Sequence, residues 1–278
     1  MLWFLRRCGA LLGVLAYHAG VRKRVTLENL EHAFPEWPPK VVRAFARKCY
    51  ASLGVVFCEL LYLRFAPKRS IERGLEIVNL TESLPIVRRG AGAILLSGHI
   101  ANWEWLALGC ALRMKQPIDV VIKNQTTPRV ERFLRHMRTR FGNRMLDAGN
   151  ARAIFRALRN GECLAVLGDQ TGTPNDVRVP FFGREVPSFE GTARLALATR
   201  APILFLEPYE RTSRGYRARF HAVPFEDLAG PTPEAIRELT ARHTALLEAI
   251  IREKPAFWLW QHKRWKHTKN VPTQTIEP

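Results

Sequence analysis

The stretch AGAILLSGHIANWEWLALGCALR, residues 91–113, predicts a strand, a turn and a helix in direct succession. Residues 91–97 form a short apolar run entered through glycine, which is typical of a buried β-strand. Residues 102–113 have a helical pattern, for which Asn102 is a good N-cap. His99 falls in the turn between the two elements. Because loops that follow buried strands often carry function, this turn is the first candidate for a site.

Strands and helices alternate along the chain from about residue 75 onward. Such alternation indicates an α/β fold, in which a central mixed sheet is flanked by helices. Functional groups of such folds lie on the loops after the strands, and Asp169 and Gln170 also follow a predicted strand. Besides the first strand and helix, the pattern predicts strands at 117–123, 163–169, 202–208 and 216–223, and helices at 128–141, 151–159, 191–200 and 233–253.

Residues 1–70 are predicted to be a helical, membrane-associating segment ahead of an α/β domain at 71–278. The apolar stretch at 8–21 contains fourteen residues. At a helical rise of about 1.5 Å per residue it is too short to cross a bilayer core. Its apolar side chains and basic flanks instead fit a helix that lies in the headgroup region of an anionic membrane. An ordinary core helix is the alternative, and residues 39–66 predict a second helix packed against it.

The charge of the chain is strongly basic. Its 43 Lys and Arg residues against 25 Asp and Glu residues give a net charge of +18. The expected partners are therefore polyanions: an anionic lipid surface, an acidic carrier protein or nucleic acid. The five cysteines are an odd number and have no CxxC spacing. This pattern favours reduced thiols in the cytosol and argues against a disulfide framework or a zinc site.

His99 and Glu104 are a candidate pair of base and orienting carboxylate. Side chains five positions apart on a regular helix point about 140° away from each other, so the two meet only if His99 precedes the helix. Glu104 then lies in the first turn, where unpaired N–H groups favour a carboxylate. We expect the imidazole to donate one N–H to Glu104 and to keep its other nitrogen free for a substrate proton. The structural alternative is a packed histidine and a helix-stabilising glutamate.

Four blocks of the sequence together resemble one family. They are RVTLENLEHAFP at 24–35, SGHIANWEW at 97–105, GDQ at 168–170 followed by VPFFG at 179–183, and FWLWQHKRWK at 257–266. In order and content they resemble the lipid A late acyltransferases, the lauroyl and myristoyl transferases of the lysophospholipid acyltransferase superfamily. His99 to Glu104 match the HxxNWE form of that superfamily's H-x-x-x-x-D/E motif. The departures are Lys263 and Trp265, where the family usually has Arg and Phe.

The resemblance implies that His99 and Glu104 are catalytic. It places Asn102, Asp169 and Gln170 in family motifs, where we expect them to bind substrate. Arg138 aligns with an arginine that the family uses near its active site, and a guanidinium there suits a phosphate or a phosphopantetheine. The alternatives are a structural turn for Asp169 and a solvated basic face for Arg138. No metal and no cofactor are expected.

The aromatic and basic block at 257–266 is interpreted as a surface for lipid headgroups. Its basic residues are expected to hold anionic groups, and its tryptophans to lie at the membrane interface. Single-stranded nucleic acid is the alternative ligand, but nothing else in the sequence resembles a nucleic-acid-binding motif. The residues concerned are His262, Lys263, Arg264 and Lys266, with Trp258, Trp260 and Trp265.

We therefore expect an acyltransferase that moves a fatty acyl chain from acyl carrier protein, or from acyl-CoA, to a hydroxyl of a lipid A precursor. It would act as a peripheral or monotopic protein at the cytoplasmic face of the inner membrane, with no nucleic acid partner. Two alternatives stay open: an acyltransferase for another glycolipid or phospholipid, such as a phosphatidylinositol mannoside, and a non-catalytic basic protein that binds membranes or nucleic acid. A hydrolase that uses Ser97 and His99 is disfavoured, because no G-x-S-x-G elbow surrounds the serine.

Overall fold

The computed structural model describes residues 1–88, 90, 92–123 and 126–268. The strands in these residues are β1 (Leu75–Ile77), β2 (Ala93–Ser97), β3 (Ile118–Ile122), β4 (Arg144–Asp147), β5 (Cys163–Leu167), β6 (Arg178–Phe181), β7 (Arg184–Pro187), β8 (Ile203–Arg211) and β9 (Tyr216–Val223). Seven of the described strands form one sheet in the order β1-β9-β8-β2-β5-β3-β4, and β6 pairs with β7 in a separate hairpin. β8 and β9 are antiparallel, whereas the other neighbours in the large sheet are parallel. The predicted mixed α/β fold is confirmed.

The helices pack around this sheet and against one another. They are α1 (Leu2–His18), α2 (Lys23–Ala33), α3 (Pro39–Phe65), α4 (Lys68–Arg73), α5 (Leu80–Val87), α6 (Trp103–Met114), α7 (Pro128–Arg138), α8 (Ala151–Arg159), α9 (Gly191–Thr199) and α10 (Pro233–Glu253), with a short 3-10 helix at Pro255–Phe257. α6 contacts α4, α7 and β3, whereas α9 contacts α8, α10 and β2. The largest fully buried side chains include Trp105 of α6 and Trp260 near the C-terminus.

β2 lies in the middle of the sheet because all of its side chains can be buried. Its sequence is AILLS, and each of these residues is buried. β8 borders it on one side and β5 on the other, both parallel to it. Parallel strands end at the same edge of a sheet, so the residues after β2 and after β5 lie side by side. This neighbourhood brings the turn at His99 next to Asp169.

α1 and α3 form an antiparallel pair whose backbones touch. A Cβ added to Gly9 would lie 2.5 Å from the carbonyl oxygen of Gly54, and one added to Gly13 would overlap that of Tyr50. Such close approach is possible only for glycine, so larger residues would force the two helices apart. Within the part of the chain that the structure describes, no helix combines the length and the apolar composition that crossing a bilayer requires.

Most predicted elements are present with small shifts at their ends. The strand predicted at 91–97 is Ala93–Ser97, and residue 91 lies outside the described residues. The helix predicted at 128–141 already ends at Arg138. The strand predicted at 202–208 continues to Arg211, because its pairing with β9 extends that far. The sequence did not predict α2, α4, α5, β1, β4 or the β6–β7 hairpin as separate elements, because they are short and depend on tertiary contacts for their stability.

Candidate active site

The turn that carries His99 is held by the C-terminal segment. Ala101 in this turn has a left-handed backbone, with φ at 50°. Its N–H donates to the carbonyl of Phe257 at 2.8 Å, while the carbonyl of His99 accepts the N–H of Leu259 at 3.1 Å. A non-glycine residue in this conformation is strained and persists only where its surroundings determine it. Residues 257–259 therefore fix the shape of the turn.

Asp169 follows β5 and receives three hydrogen bonds from the neighbouring turn and the C-terminal segment. Its Oδ2 accepts the backbone N–H of His99 at 2.8 Å and the indole N–H of Trp258 at 2.8 Å. Its Oδ1 lies 2.7 Å from Nδ1 of the His99 ring. An ionised carboxylate offers only acceptors, so Nδ1 carries the hydrogen in the neutral ring. Nε2 is then the ring nitrogen that can accept a proton.

The electrostatics of this pair favour a charged imidazole. Burial by itself lowers the pKa of His99, but the charge of Asp169 and its hydrogen bond outweigh burial and raise that pKa above 6.5. Burial likewise disfavours ionisation of Asp169, yet His99 and the hydrogen bonds to the carboxylate lower its pKa to about 2. Asp169 is therefore ionised at neutral pH and stabilises the protonated form of His99.

Glu104 binds Arg138 and not His99. The Nε and Nη2 atoms of Arg138 donate to the two oxygens of Glu104 at 2.9 and 2.5 Å. The predicted hydrogen bond from His99 to Glu104 is thus replaced by one to Asp169, because the turn directs the imidazole towards the end of β5. The charge of Glu104 still contributes to the raised pKa of His99. Nη1 of Arg138 is buried and has no hydrogen-bond partner among the described residues.

The side-chain amide of Asn102 forms hydrogen bonds within the protein through both its oxygen and its nitrogen. Oδ1 accepts the N–H of Trp105 at 3.0 Å, which confirms the predicted N-cap of α6. Nδ2 donates to Oε2 of Glu59 in α3 at 2.9 Å. Asn102 is also fully buried. This placement favours a positioning role for the residue over the substrate-binding role that the motif suggested.

A comparison with known families decides the class of protein to which this site belongs. The model of the bacterial lipid A biosynthesis acyltransferase family matches residues 3–267 of the 278 in the chain. The chain belongs to this family. It is therefore an acyltransferase of lipid A synthesis, and the alternative of a non-catalytic binding protein is wrong. The family implies an acyl donor and a lipid A-type acceptor. No match was found among the curated proteins.

Two further candidate residues of the acyltransferase differ in their surroundings. Gln170 is exposed beside Asp169, so its side chain is accessible to a substrate. Ser97 is buried, and its hydroxyl donates to the carbonyl of Leu206 at 2.8 Å. The serine is thus bonded to β8 and not to His99, which agrees with the sequence argument against a hydrolase.

Much of the C-terminal block of the acyltransferase is buried in the core. Trp258 and Trp260 are buried, as is Arg264, which donates to Pro187 and Ser188 at 2.9 and 2.6 Å. The interpretation of Trp258, Trp260 and Arg264 as membrane contacts is therefore wrong, whereas Lys263 and Lys266 are exposed and their contact with anionic headgroups stays a prediction. The block packs tryptophans into the core, and its Arg264 satisfies the carbonyl of Pro187 at the end of β7 and the hydroxyl of Ser188. Its Trp258 reaches Asp169 instead.

Two residues next to the site were not identified from the sequence. Trp258 was interpreted as an interfacial residue, and nothing local indicates that its indole would reach Asp169. Glu59 was part of a predicted helix and received no role. A signal for it does exist, because a single carboxylate within the apolar run GVVFCELLYL requires a buried partner.

The acyltransferase has little free space around His99. A cavity of about 10 Å³ adjoins the residue, lined by α3, the His99 turn and residues 256–259. This is about the space for one water molecule. The ring of Trp103 packs edge-on against the imidazole at a centroid distance of 4.8 Å, and 16% of the His99 side chain stays exposed. No group of three or more potential metal-ligating side chains occurs in the described residues.

Proposed function

We propose that this acyltransferase moves a fatty acyl chain from acyl carrier protein to a hydroxyl of a lipid A precursor, with His99 as the general base. The observation that carries the proposal is the His99–Asp169 pair in the turn of the family motif. The pair leaves Nε2 unprotonated in the neutral ring, and 16% of the His99 side chain is exposed. A base of this kind can take the proton of an acceptor hydroxyl.

In the proposed reaction Nε2 of His99 takes the proton of the acceptor hydroxyl as the oxygen attacks the thioester carbonyl. The tetrahedral intermediate then breaks its C–S bond, and the leaving thiolate receives the proton from the imidazolium. Asp169 stabilises the imidazolium between these two steps and keeps the hydrogen of the neutral ring on Nδ1. The ester and the free thiol are the products, and no other reactant is consumed.

Arg138 supplies a cationic hydrogen-bond donor beside this base. Glu104 holds two of its nitrogens, and the third, Nη1, is the donor left for a substrate oxygen. Charge-assisted donors of this kind bind a phosphate or the oxyanion of the intermediate. We assign to Glu104 the role of positioning Arg138. We assign to Gln170 a contact with the substrate at the rim of the site.

We assign acyl carrier protein as the donor because of a basic groove between α8 and α9. This open groove has a volume of about 610 Å³ and an apolar floor that includes Phe155 and Leu195. Four exposed arginines line it, of which Arg194 pairs with Glu190 at 2.5 Å. An acidic protein is attracted by such a surface through charge complementarity, whereas acyl-CoA needs no protein-sized surface. The four arginines are Arg152, Arg156, Arg159 and Arg194.

Membrane attachment at the cytoplasmic face is assigned to the α1–α3 pair. Large apolar side chains are exposed on both helices. Arg7 of α1 and Arg24 in the first turn of α2 are exposed and provide positive charge for anionic headgroups. The five cysteines are unpaired, as expected on the reducing side of the membrane. The exposed apolar residues are Trp3, Phe4, Leu11, Leu12 and Leu15 in α1, with Phe57, Leu61 and Phe65 in α3.

The test is an acyl-transfer assay with purified protein, labelled acyl carrier protein or acyl-CoA, and a panel of acceptors read by mass spectrometry. The panel contains a lipid A precursor, a phosphatidylinositol mannoside and a lysophospholipid. We expect acylated lipid A precursor. In the double variant Arg152→Glu/Arg156→Glu we expect a higher KM for the carrier-bound donor and an unchanged KM for acyl-CoA. Acylation of another acceptor alone, or equal KM values for wild type and variant with the carrier-bound donor, would contradict the assignment.

A further inference from the structure

Glu59 is a buried carboxylate that the reaction above does not use. It lies in α3 with a side chain that is fully buried. Oε1 accepts Nε of Arg6 in α1 at 2.6 Å. Oε2 accepts both Nδ2 of Asn102 at 2.9 Å and the hydroxyl of Tyr216 at 2.6 Å. The carboxylate therefore joins α1, the start of β9 and the turn of the family motif at one point.

Arg6 has no nitrogen left for another role. Besides Glu59 it donates to the carbonyls of Thr212 and Gly215, the latter at 3.1 Å, in the loop between β8 and β9. Its side chain is 13% exposed. The cation of α1 is thus inserted into the α/β part of the molecule, while the same helix exposes its apolar side chains to the outside. Any displacement of α1 leaves the Glu59 charge buried without its partner.

The charge of Glu59 also decides the orientation of the Asn102 amide. An ionised carboxylate can only accept, so the end of the amide that faces it must be the donor Nδ2. Oδ1 then faces the N-terminus of α6 and accepts the N–H of Trp105. With the amide reversed, an oxygen would face the carboxylate and the cap would be lost. Three residues before Asn102 lies His99, and two residues after it lies Glu104.

We propose that Glu59 is a positioning residue of the acyl-transfer site, which ties the seating of α1 to the geometry of the His99–Asn102 turn. This inference rests on the proposed function. Through Asn102, Glu59 sets the start of α6 and hence the places of His99 and Glu104. Through Arg6, it makes that arrangement depend on the helix that carries the exposed apolar surface.

A purely structural ion pair would stabilise the fold without acting on the turn. The test therefore separates the two hydrogen bonds that Oε2 of Glu59 accepts, one from Asn102 and one from Tyr216. Glu59→Gln removes the charge with little change of shape, whereas Tyr216→Phe removes only the other hydrogen bond to Oε2. We expect Glu59→Gln to lower kcat by about tenfold with KM for the donor unchanged, and to speed up amide hydrogen exchange at Trp105. Tyr216→Phe should lower the melting temperature yet keep kcat and the exchange rate at Trp105 near wild type. Equal effects of the two variants on kcat and exchange, at equal folded fraction, would overturn the inference.

Moving the carboxylate from residue 59 to residue 102 should restore part of the lost turnover. In Asn102→Asp the new carboxylate faces that of Glu59, and we expect a severe loss of kcat. In Glu59→Gln/Asn102→Asp the amide of residue 59 can donate to the carboxylate of residue 102, which still caps α6. We expect the double variant to recover about tenfold in kcat over Asn102→Asp, since contacting residues couple on this scale. Losses that simply multiply would contradict the inference.

The two readouts separate this inference from the proposed function. Amide exchange at Trp105 measures the stability of the hydrogen bond from Trp105 to Asn102, and it needs no substrate. If the wild-type chain transferred no acyl group, the proposed function would fail, while the exchange rates would still decide whether Glu59 holds the turn.

Discussion

Asp169 holds His99 at two points, through the backbone N–H at 2.8 Å and through Nδ1 at 2.7 Å. One carboxylate thereby fixes both the main chain of the turn and the tautomer of the ring. The indole of Trp258 donates to the same side chain and leaves it few alternative positions. A base that is positioned in this way needs little reorganisation when the acceptor hydroxyl arrives.

Asp169→Asn is expected to lower turnover by about a hundredfold to ten-thousandfold. If the remaining oxygen keeps the backbone and indole donors, the new amide N–H₂ faces Nδ1. The hydrogen of the neutral ring is then driven to Nε2, the atom that should accept the substrate proton. The double variant His99→Ala/Asp169→Asn should be about as active as His99→Ala, because the two residues act as one unit. Steady-state kinetics of the three proteins check this, and independent, multiplying losses would contradict it.

The pH dependence of the same variant has a defined direction. Neutral His99 is the active base, so activity falls as pH drops through its pKa, which the charge of Asp169 raises. Asp169→Asn removes the main charge that raises this pKa, so that burial, the largest influence, and Arg138 lower it against the remaining charge of Glu104. The acidic limb of the kcat/KM profile should therefore move to lower pH in the variant. If the acidic limb stays at the same pH or moves to higher pH, a group other than His99 controls it.

Glu104→Gln should destabilise the protein and reduce activity together. It leaves the largely buried guanidinium of Arg138 without its carboxylate, and breaking such a pair costs about 3–5 kcal/mol. Because both side chains are largely buried, Arg138→Ala should likewise lower the melting temperature.

The double variant Glu104→Gln/Arg138→Met should regain stability without regaining turnover, because the donor for the substrate stays absent. Chemical denaturation and the acyl-transfer assay measure the two effects. Glu210→Gln is the matched control, since its pair with Arg217 is exposed and screened by solvent and should contribute little to stability. Recovery of full activity in the double variant would assign the pair a structural role only.

Substitutions on the apolar surface of the α1–α3 pair should weaken membrane binding. We expect Leu11→Glu/Leu61→Glu to reduce co-sedimentation with phosphatidylglycerol vesicles, because both side chains are at least half exposed and would enter the headgroup region. Val78→Glu is the control, since Val78 is 50% exposed away from this pair. Circular dichroism verifies folding. Equal binding of the double variant and wild type, or an equal loss in Val78→Glu, would refute the assignment of this surface.

The sequence predicted the strand–turn–helix unit at 91–113 well, because an apolar run, a cap residue and helical periodicity are local signals. Through the family resemblance it also pointed to Asp169 and Arg138, which contact His99 and Glu104 in the structure. It assigned the wrong carboxylate to the His99 ring, since the choice between Glu104 and Asp169 depends on which strands are neighbours. The pairing of β2 with β5 is a long-range relationship that no local pattern contains. Trp258 and Glu59 escaped identification for the same reason.

The most direct test of the account is the turnover of His99→Ala in the acyl-transfer assay. We predict a loss of about a hundredfold to ten-thousandfold, with cooperative unfolding and donor binding retained, because only the proton acceptor is removed. His136→Ala, at an exposed position of α7, is the control and should match wild type. Near-normal acyl transfer by His99→Ala would contradict the role of His99 as the base and, with it, the mechanism built on the His99–Asp169 pair.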